Sequence, residues 1–261
     1  MTPPTMSGRG FVSLVGAGPG DPALLTRAAL GRLRRADLVL YDALVPLEIV
    51  SLARRARRFY VGKRAGRHSM TQDAINRLLV REARQGRRVV RLKAGDPFVL
   101  GRGGEEALAL RAAGVPYEVV PGISSALAAP ALAGIPVTHR GVASAFVVLS
   151  AHAEHAYAPI VDALPPKSAT LVVLMGLGES GPLAERLLGR GWPAATPAAI
   201  VYSASTPGAM TWRGVLSELR TAAGEAPDGA PGTIVIGEVV NLAAVLGQVA
   251  APAQRSAGAR S

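Results

Sequence analysis

The 261-residue chain contains no cysteine, which excludes disulfide bonds, thiolate catalysis and a cysteine-based zinc site together. Lysine is almost missing too. Lys63, Lys93 and Lys167 are the whole set, so arginine carries nearly all of the formal +11 charge. Aromatic residues make up only 4% of the chain, and no basic block interleaves with them, which argues against stacking on single-stranded nucleic acid. No apolar run approaches the ~18 residues that a membrane span needs, and Met1 to Arg9 lacks the apolar core of a signal peptide. The expectation is a cytoplasmic protein with no membrane partner. The four histidines, His68, His139, His152 and His155, are scattered. No HExxH or comparable ligand set surrounds them, so no metal is expected.

What is present is apolar residue in quantity, 49% of the chain, enough to build one large core or two modest ones. The arginine excess has a plain reading, a solvated surface, and a functional one. Guanidinium pairs with carboxylate or phosphate in a two-pronged fork, which suits a polyanionic ligand. Charge alone does not choose between a small polyanion and RNA.

The most informative stretch is Arg91 to Glu106, Arg-Leu-Lys-Ala-Gly-Asp-Pro-Phe-Val-Leu-Gly-Arg-Gly-Gly-Glu-Glu. It leaves a strand at Arg88 to Leu92 and enters a loop dense in glycine, where backbone can approach a ligand closely. In open α/β sheets ligands bind at the carboxyl ends of strands. The N-terminus repeats the plan: a strand at Phe11 to Val15, then Gly16-Ala17-Gly18-Pro19-Gly20-Asp21-Pro22. The two loops suggest two glycine-lined walls of one pocket.

Strand and helix alternate throughout. Leu24 to Arg35 is amphipathic. Asp37 to Tyr41 and Arg58 to Val61 read as strands. Thr71 caps a helix that stops at Gly86. Glu105 to Ala113 is a helix ended by Gly114, Tyr117 to Val120 a strand, and Ser124 to Ala133 a small-residue helix containing Pro130. A linker at 138–141 then separates two α/β domains, 10–137 and 142–249, with a ligand cleft expected between them. In the second, Ala145 to Ser150, Ala169 to Met175 and Ala198 to Tyr202 read as strands. Ser180 and Pro182 open a helix as cap and first-turn residues. Met210 to Arg213 and Thr233 to Ile236 are expected to pair around a helix at Val215 to Ala222, and Asn241 to Val249 to close the fold. Residues 1–9 and 250–261 are expected to be disordered tails.

Gly16-Ala17-Gly18-Pro19-Gly20 also invites a dinucleotide reading, with Asp42 at the distance of a ribose-binding acid. The spacing is GxGxG rather than GxGxxG, and Pro19 removes an N–H that a pyrophosphate would use. A nicotinamide-dependent oxidoreductase stays open as a rival on these residues alone.

Five strings, taken in order, resemble the tetrapyrrole (class III) methyltransferases: Val15 to Pro22, Val61 to Gly66, Arg91 to Glu106, Val120 to Ser125 and Pro136 to Gly141. The similarity spans about Phe11 to Leu242 and is greatest to the branch that methylates uroporphyrinogen III. It implies transfer of methyl groups from S-adenosyl-L-methionine to C2 and C7, giving precorrin-2 and S-adenosyl-L-homocysteine. It also implies a small polycarboxylate tetrapyrrole as substrate and a homodimer. A member acting on a later precorrin or on RNA is the alternative.

Carried over residue by residue, the resemblance places Pro19, Ala94, Gly95, Asp96 and Val99 against the cofactor. Ser124 and Ser125 lie at its amino-acid end, and Met175, Ala204, Gly232 and Thr233 approach from the second domain. Asp42 is the leading base. Lys63 donates a proton or holds an anionic arm. Arg102 and Arg140 bind substrate carboxylates; alternatively Arg102 steers the proton transfer with Glu105 orienting it. His139 and His152 are further substrate contacts. The residues themselves leave plainer roles open: Met175 as core, Ser124 as a helix cap, Asp96 as a turn former and Asp42 as a loop cap. The family usually has Gly at the Ala94 and Ala204 positions, and commonly Phe at Leu100, which puts cofactor affinity in question more than reaction type.

Overall fold

The computed structural model describes residues 10–62, 70–225, 227 and 229–246. The expected tails, Lys63 and His68 lie outside the described residues. The chain divides into two compact units, Met1–Ala128 and Ala129–Ser261.

The first unit runs β1 (Phe11–Gly16), α1 (Arg27–Arg35), β2 (Leu38–Tyr41), α2 (Leu47–Ser51), β3 (Arg57–Tyr60), α3 (Gln72–Arg84), β4 (Arg88–Lys93), α4 (Gly103–Ala112), β5 (Tyr117–Val120) and α5 (Ser125–Leu132). Its strands form a sheet in the order β3-β2-β4-β1-β5, and every neighbouring pair is parallel. Parallel sheets are covered on both faces, and period-2 alternation decides what each face carries. Val15, Val39, Val90 and Leu92 pack with Ala29 and Leu33 of α1 and Ile49 and Val50 of α2. Leu14, Leu38, Leu40 and Val89 pack with Ile75 and Leu79 of α3 and Ala107 and Leu110 of α4. Arg91 and Lys93 alternate with Val90 and Leu92, so they share the α3–α4 side.

Local signals set the helix bounds. The Thr26 hydroxyl accepts from the Ala29 N–H and opens α1. Thr71 does the same from Ala74 for α3, and Gly86 follows at φ +81°, a left-handed conformation that glycine tolerates. Gly114 after α4 is left-handed as well, at φ +66°.

The second unit runs β6 (Phe146–Ser150), α6 (Glu154–Ala163), β7 (Thr170–Leu174), α7 (Ser180–Gly189), β8 (Pro197–Tyr202), β9 (Met210–Val215), α8 (Leu219–Gly224), β10 (Gly232–Ile236) and α9 (Leu242–Leu246). The sheet order is β6-β7-β10-β8-β9. Only β6 and β7 pair in parallel; the other three pairs are antiparallel. One face packs on Tyr157, Leu183, Leu187 and Leu219, the other on Val239, Val240 and Ala243.

The structure differs from the sequence reading at three points. The units divide within α5 rather than at 138–141, because Ala129, Ala133 and Ile135 join the core of Ala199, Val201 and Val235. β9 does not pair with β10; β8, fully buried, lies between them. Ser180 is not a cap: it is the first residue of α7, and its hydroxyl donates to the Leu177 carbonyl.

Candidate active site

The strands β1, β4 and β5 end side by side, and their exits are joined through backbone. The Gly95 N–H donates to the Gly18 carbonyl at 2.8 Å, and Gly18 N–H returns the bond to Gly95 at 3.2 Å. The Ala17 N–H donates to the Lys93 carbonyl at 2.7 Å. The two glycine loops are thus one surface, not two facing walls. Gly18 and Gly95 sit at φ +76° and +65°, where a side chain is strained. At Gly122 the need is steric: an added Cβ would lie 2.2 Å from the Gly95 carbonyl oxygen and 2.7 Å from Gly16 Cα.

Asp96 links two of the three exits. Its Oδ1 accepts from the Phe98 N–H at 2.8 Å and its Oδ2 from the Gly122 N–H at 3.0 Å. The first bond is the turn-forming role open to it from sequence; the second ties the β4 loop to the β5 loop. Ser124 is buried, and its hydroxyl accepts from the Ala126 N–H at 3.2 Å at the start of α5. Ala94 is not in a left-handed conformation and packs partly buried against Val90 and Leu92, so the backbone here does not demand the family's glycine. Pro19 is half-buried, while Phe98, Val99 and Leu100 are exposed.

Asp42 follows β2 and belongs to a charge cluster. Its Oδ1 accepts from an Arg91 Nη at 2.5 Å. Arg91 Nε donates to Glu106 Oε1 at 2.8 Å. Lys93 Nζ lies 3.0 Å from the same Glu106 oxygen and 3.7 Å from Asp42 Oδ2. Arg91, Lys93 and Glu106 are buried, whereas Asp42 keeps 29% of its side chain exposed. Burial and then the charge of Arg91 push the Lys93 amine down, against the pull of Glu106 and Asp42. For Arg91 burial acts in the same downward sense, but the charges of Glu106 and Asp42 outweigh it and keep the guanidinium firmly protonated. Two cations and two carboxylates balance, as buried charge requires.

Sequence reasoning missed Arg91, Lys93 and Glu106 as a group. The signal was two basic residues two apart, Arg91 and Lys93, within the buried part of a strand that otherwise holds valine and leucine there.

Arg102 is exposed and grips Glu105 through two bonds of 2.7 and 2.8 Å. The hydrogen bond from Arg102 holds Glu105 below the usual carboxylate range. Arg102 and Leu100 both adopt left-handed backbone, at φ +58° and +54°, a conformation that costs energy in any residue but glycine.

In the second unit the expected residues gather at one end of the sheet. Met175 follows Leu174, which pairs with Thr233, and Gly232 pairs with Tyr202, two residues before Ala204. Met175 is 53% exposed at φ +57°; it is not core. Thr233 is buried. Ser203 and Ser205 flank Ala204 at φ +45° and +69°. His139 and Arg140 are exposed on the segment between α5 and β6, His139 Nδ1 lying 2.9 Å from the Arg140 carbonyl. His152 is exposed, 3.0 Å from the Ser150 hydroxyl. Among the described residues no group of His, Asp or Glu could hold a metal ion, and no helix is long and apolar enough to cross a membrane.

A dinucleotide site does not suit this geometry. The Gly18 N–H, which a pyrophosphate would need, is spent on Gly95, and β4 rather than β2 neighbours β1. A sequence profile of the tetrapyrrole (corrin/porphyrin) methylases matches residues 12–220. The chain belongs to this family. A uroporphyrinogen-III C-methyltransferase of Methanocaldococcus jannaschii is 46% identical over 236 residues, covering 89% of this chain and 98% of that protein. A siroheme synthase of Actinobacillus pleuropneumoniae is 50% identical over 235 residues, but this methylase chain spans only 48% of that relative's length. Among solved structures, the Thermus thermophilus uroporphyrin-III C-methyltransferase complexed with S-adenyl homocysteine is similar. Its TM-score is 0.76 at 44% identity, covering 89% of this chain and all of that one. A cobalt precorrin-4 methyltransferase aligns with TM-score 0.77 at 26% identity, over 88% and 95% of the two chains.

Proposed function

We propose that the chain transfers methyl groups from S-adenosyl-L-methionine to C2 and C7 of uroporphyrinogen III, yielding precorrin-2 and S-adenosyl-L-homocysteine. The observation that carries this reading is the match to the archaeal methyltransferase along 98% of that protein's length, coupled to a backbone-built floor at the ends of β1, β4 and β5. The residues present fit such a donor. At Gly16 and Gly122 the missing side chains let the three strand exits close on one another, an added Cβ lying 2.6 and 2.2 Å from the Gly95 carbonyl oxygen, and the donor is taken to rest on the loops these exits carry. Pro19, Ala94, Gly95 and Val99 border it, and Ser124 and Ser125 open α5 beside it. Met175, Ala204, Gly232 and Thr233, at one end of the second unit's sheet, are cofactor contacts by resemblance alone. When bound, the donor provides an electrophilic methyl on a sulfonium whose thioether leaves without protonation.

The protein's own work is alignment, water exclusion and removal of one proton. Asp42 takes that proton from the pyrrole, its carboxylate aimed by Arg91. Arg102, fixed by Glu105, holds an acetate or propionate arm; Arg140, His139 and His152 are substrate contacts by resemblance alone. Lys63 belongs to this set by resemblance alone. The protein works in the cytoplasm as a homodimer.

Calorimetry with S-adenosyl-L-methionine, followed by anaerobic addition of uroporphyrinogen III, tests the reading. Donor binding and a methylated product are expected. Bound donor without product would favour a later precorrin or RNA as acceptor, and absence of donor binding would remove the activity altogether.

A further inference from the structure

Glu106 has no assigned part in the chemistry, yet it is the hub of the buried charge cluster. It is fully buried, and its Oε1 accepts from three donors: Arg91 Nε at 2.8 Å, Lys93 Nζ at 3.0 Å and Gln72 Nε2 at 3.2 Å. Its Oε2 is buried with no hydrogen-bond partner. A carboxylate that concentrates three donors on one oxygen and leaves the other buried and bare is badly used if stability alone were served, because a buried acceptor without a partner is destabilising. Arg91 and Lys93 both reach past Glu106 towards Asp42, whose carboxylate is the only partly exposed acid of the cluster. The cluster is therefore polar in arrangement: one end sealed, the other presented.

We propose that Glu106 is a positioning residue for the methyl transfer, acting through Arg91 and Lys93 to fix the orientation and charge of the Asp42 carboxylate. This rests on the reading of Asp42 as the base. Arg91 has its Nε and one Nη committed to two different carboxylates, so its guanidinium plane, and with it the Asp42 lone pairs, is set from the Glu106 side. Among the described residues the cluster brings Arg91 and Lys93 of β4 to Asp42 and, through them, Glu106 of α4; over longer range Lys93 bears on Glu105 and Glu106 on Arg102. The sequence placed Glu106 beside Glu105, but only Glu105 faces solvent.

Glu106→Gln keeps size and an acceptor while removing the charge. It should lower kcat about ten- to a hundred-fold, the scale of a misaligned catalytic group, with calorimetric affinity for S-adenosyl-L-methionine unchanged. In an Asp42→Asn background the same change should cost almost nothing further. A wild-type kcat in Glu106→Gln, or a loss that adds in full to that of Asp42→Asn, overturns the proposal. Crystal structures of the variants judge the cradle without activity, so they separate failure of this idea from failure of Asp42 as base. In Glu106→Gln the Arg91 guanidinium should turn and its 2.5 Å contact with Asp42 should lengthen or break. Lys93→Gln, which leaves the Arg91–Glu106 pair intact, serves if the first variant does not fold, and there the Asp42 carboxylate should rotate away from the position Lys93 faces. An Asp42 carboxylate unmoved in both refutes the coupling.

Discussion

Gly122→Ala tests the floor of the site with a single methyl group. The added carbon would sit 2.2 Å from the Gly95 carbonyl oxygen, 2.7 Å from Gly16 Cα and 2.8 Å from Gly16 C. All three are backbone atoms of other strand exits, so no side chain can turn aside. A normal contact is about 3.5 Å or more, and restoring it means moving the β5 exit by about 1 Å against the β1 and β4 exits. That motion also stretches the 3.0 Å bond from Gly122 N–H to Asp96. Overpacking of this kind costs about 1–3 kcal/mol, and the lost charge-assisted bond adds about 1 kcal/mol. The first unit should unfold several degrees lower, since about 1 kcal/mol moves a domain of this size by ~3–6 °C. Donor affinity should fall at least about ten-fold. Gly104→Ala is the control: nothing lies within 4 Å of its added Cβ, and it sits in the first turn of α4, where alanine is favoured by up to about 1 kcal/mol. Scanning calorimetry and donor titration of both variants decide the matter. A Gly122→Ala protein that melts and binds like wild type would show that the three exits are not packed as described.

Other outcomes follow from the same geometry. Asp42→Asn should reduce turnover at least about ten-fold while donor binding stays intact in calorimetry; full activity would end its assignment as base. Arg102→Ala removes an exposed pair and should change stability by less than about 1 kcal/mol, yet steady-state kinetics should show kcat/KM for the tetrapyrrole falling about ten-fold or more. Glu118 accepts from Ser13 at 2.8 Å and from Arg32 at 2.9 Å, and the Arg32 bond holds its carboxyl below the usual range. A depressed folded-state pKa stabilises above the unfolded value and stops doing so as pH falls through the folded one. Urea titrations should therefore find Glu118→Gln about 1 kcal/mol weaker at neutral pH, with the two curves converging in acid.

Much of the fold was written locally. Thr26 and Thr71 cap helices, and Gly86 and Gly114 end them, because those choices depend on neighbours a few residues away. The glycine loops were legible as strand exits for the same reason. What stayed hidden depends on distant pairing. Arg91 meets Asp42 across 49 positions, and only the sheet order that sets β4 beside β2 brings them together. Period-2 alternation puts Arg91 on the α3–α4 face, but nothing near it in sequence announces Glu106. β9 was paired with the wrong partner because an antiparallel edge can be offered to any strand; full burial of Ala198 to Tyr202 was the clue that it belongs between β9 and β10. The division within α5 was missed since small residues such as Ala129 and Ala133 fit either core.

The reciprocal bonds between Gly18 and Gly95 have a mechanical corollary. With each residue both giving and receiving, neither loop can swing without carrying the other, and Asp96 brings the β5 exit into the same rigid plate. Movement at these strand ends must therefore be shared by all three loops, whereas the exposed side chains of Phe98, Val99 and Leu100 can be exchanged without touching the bonds that join them.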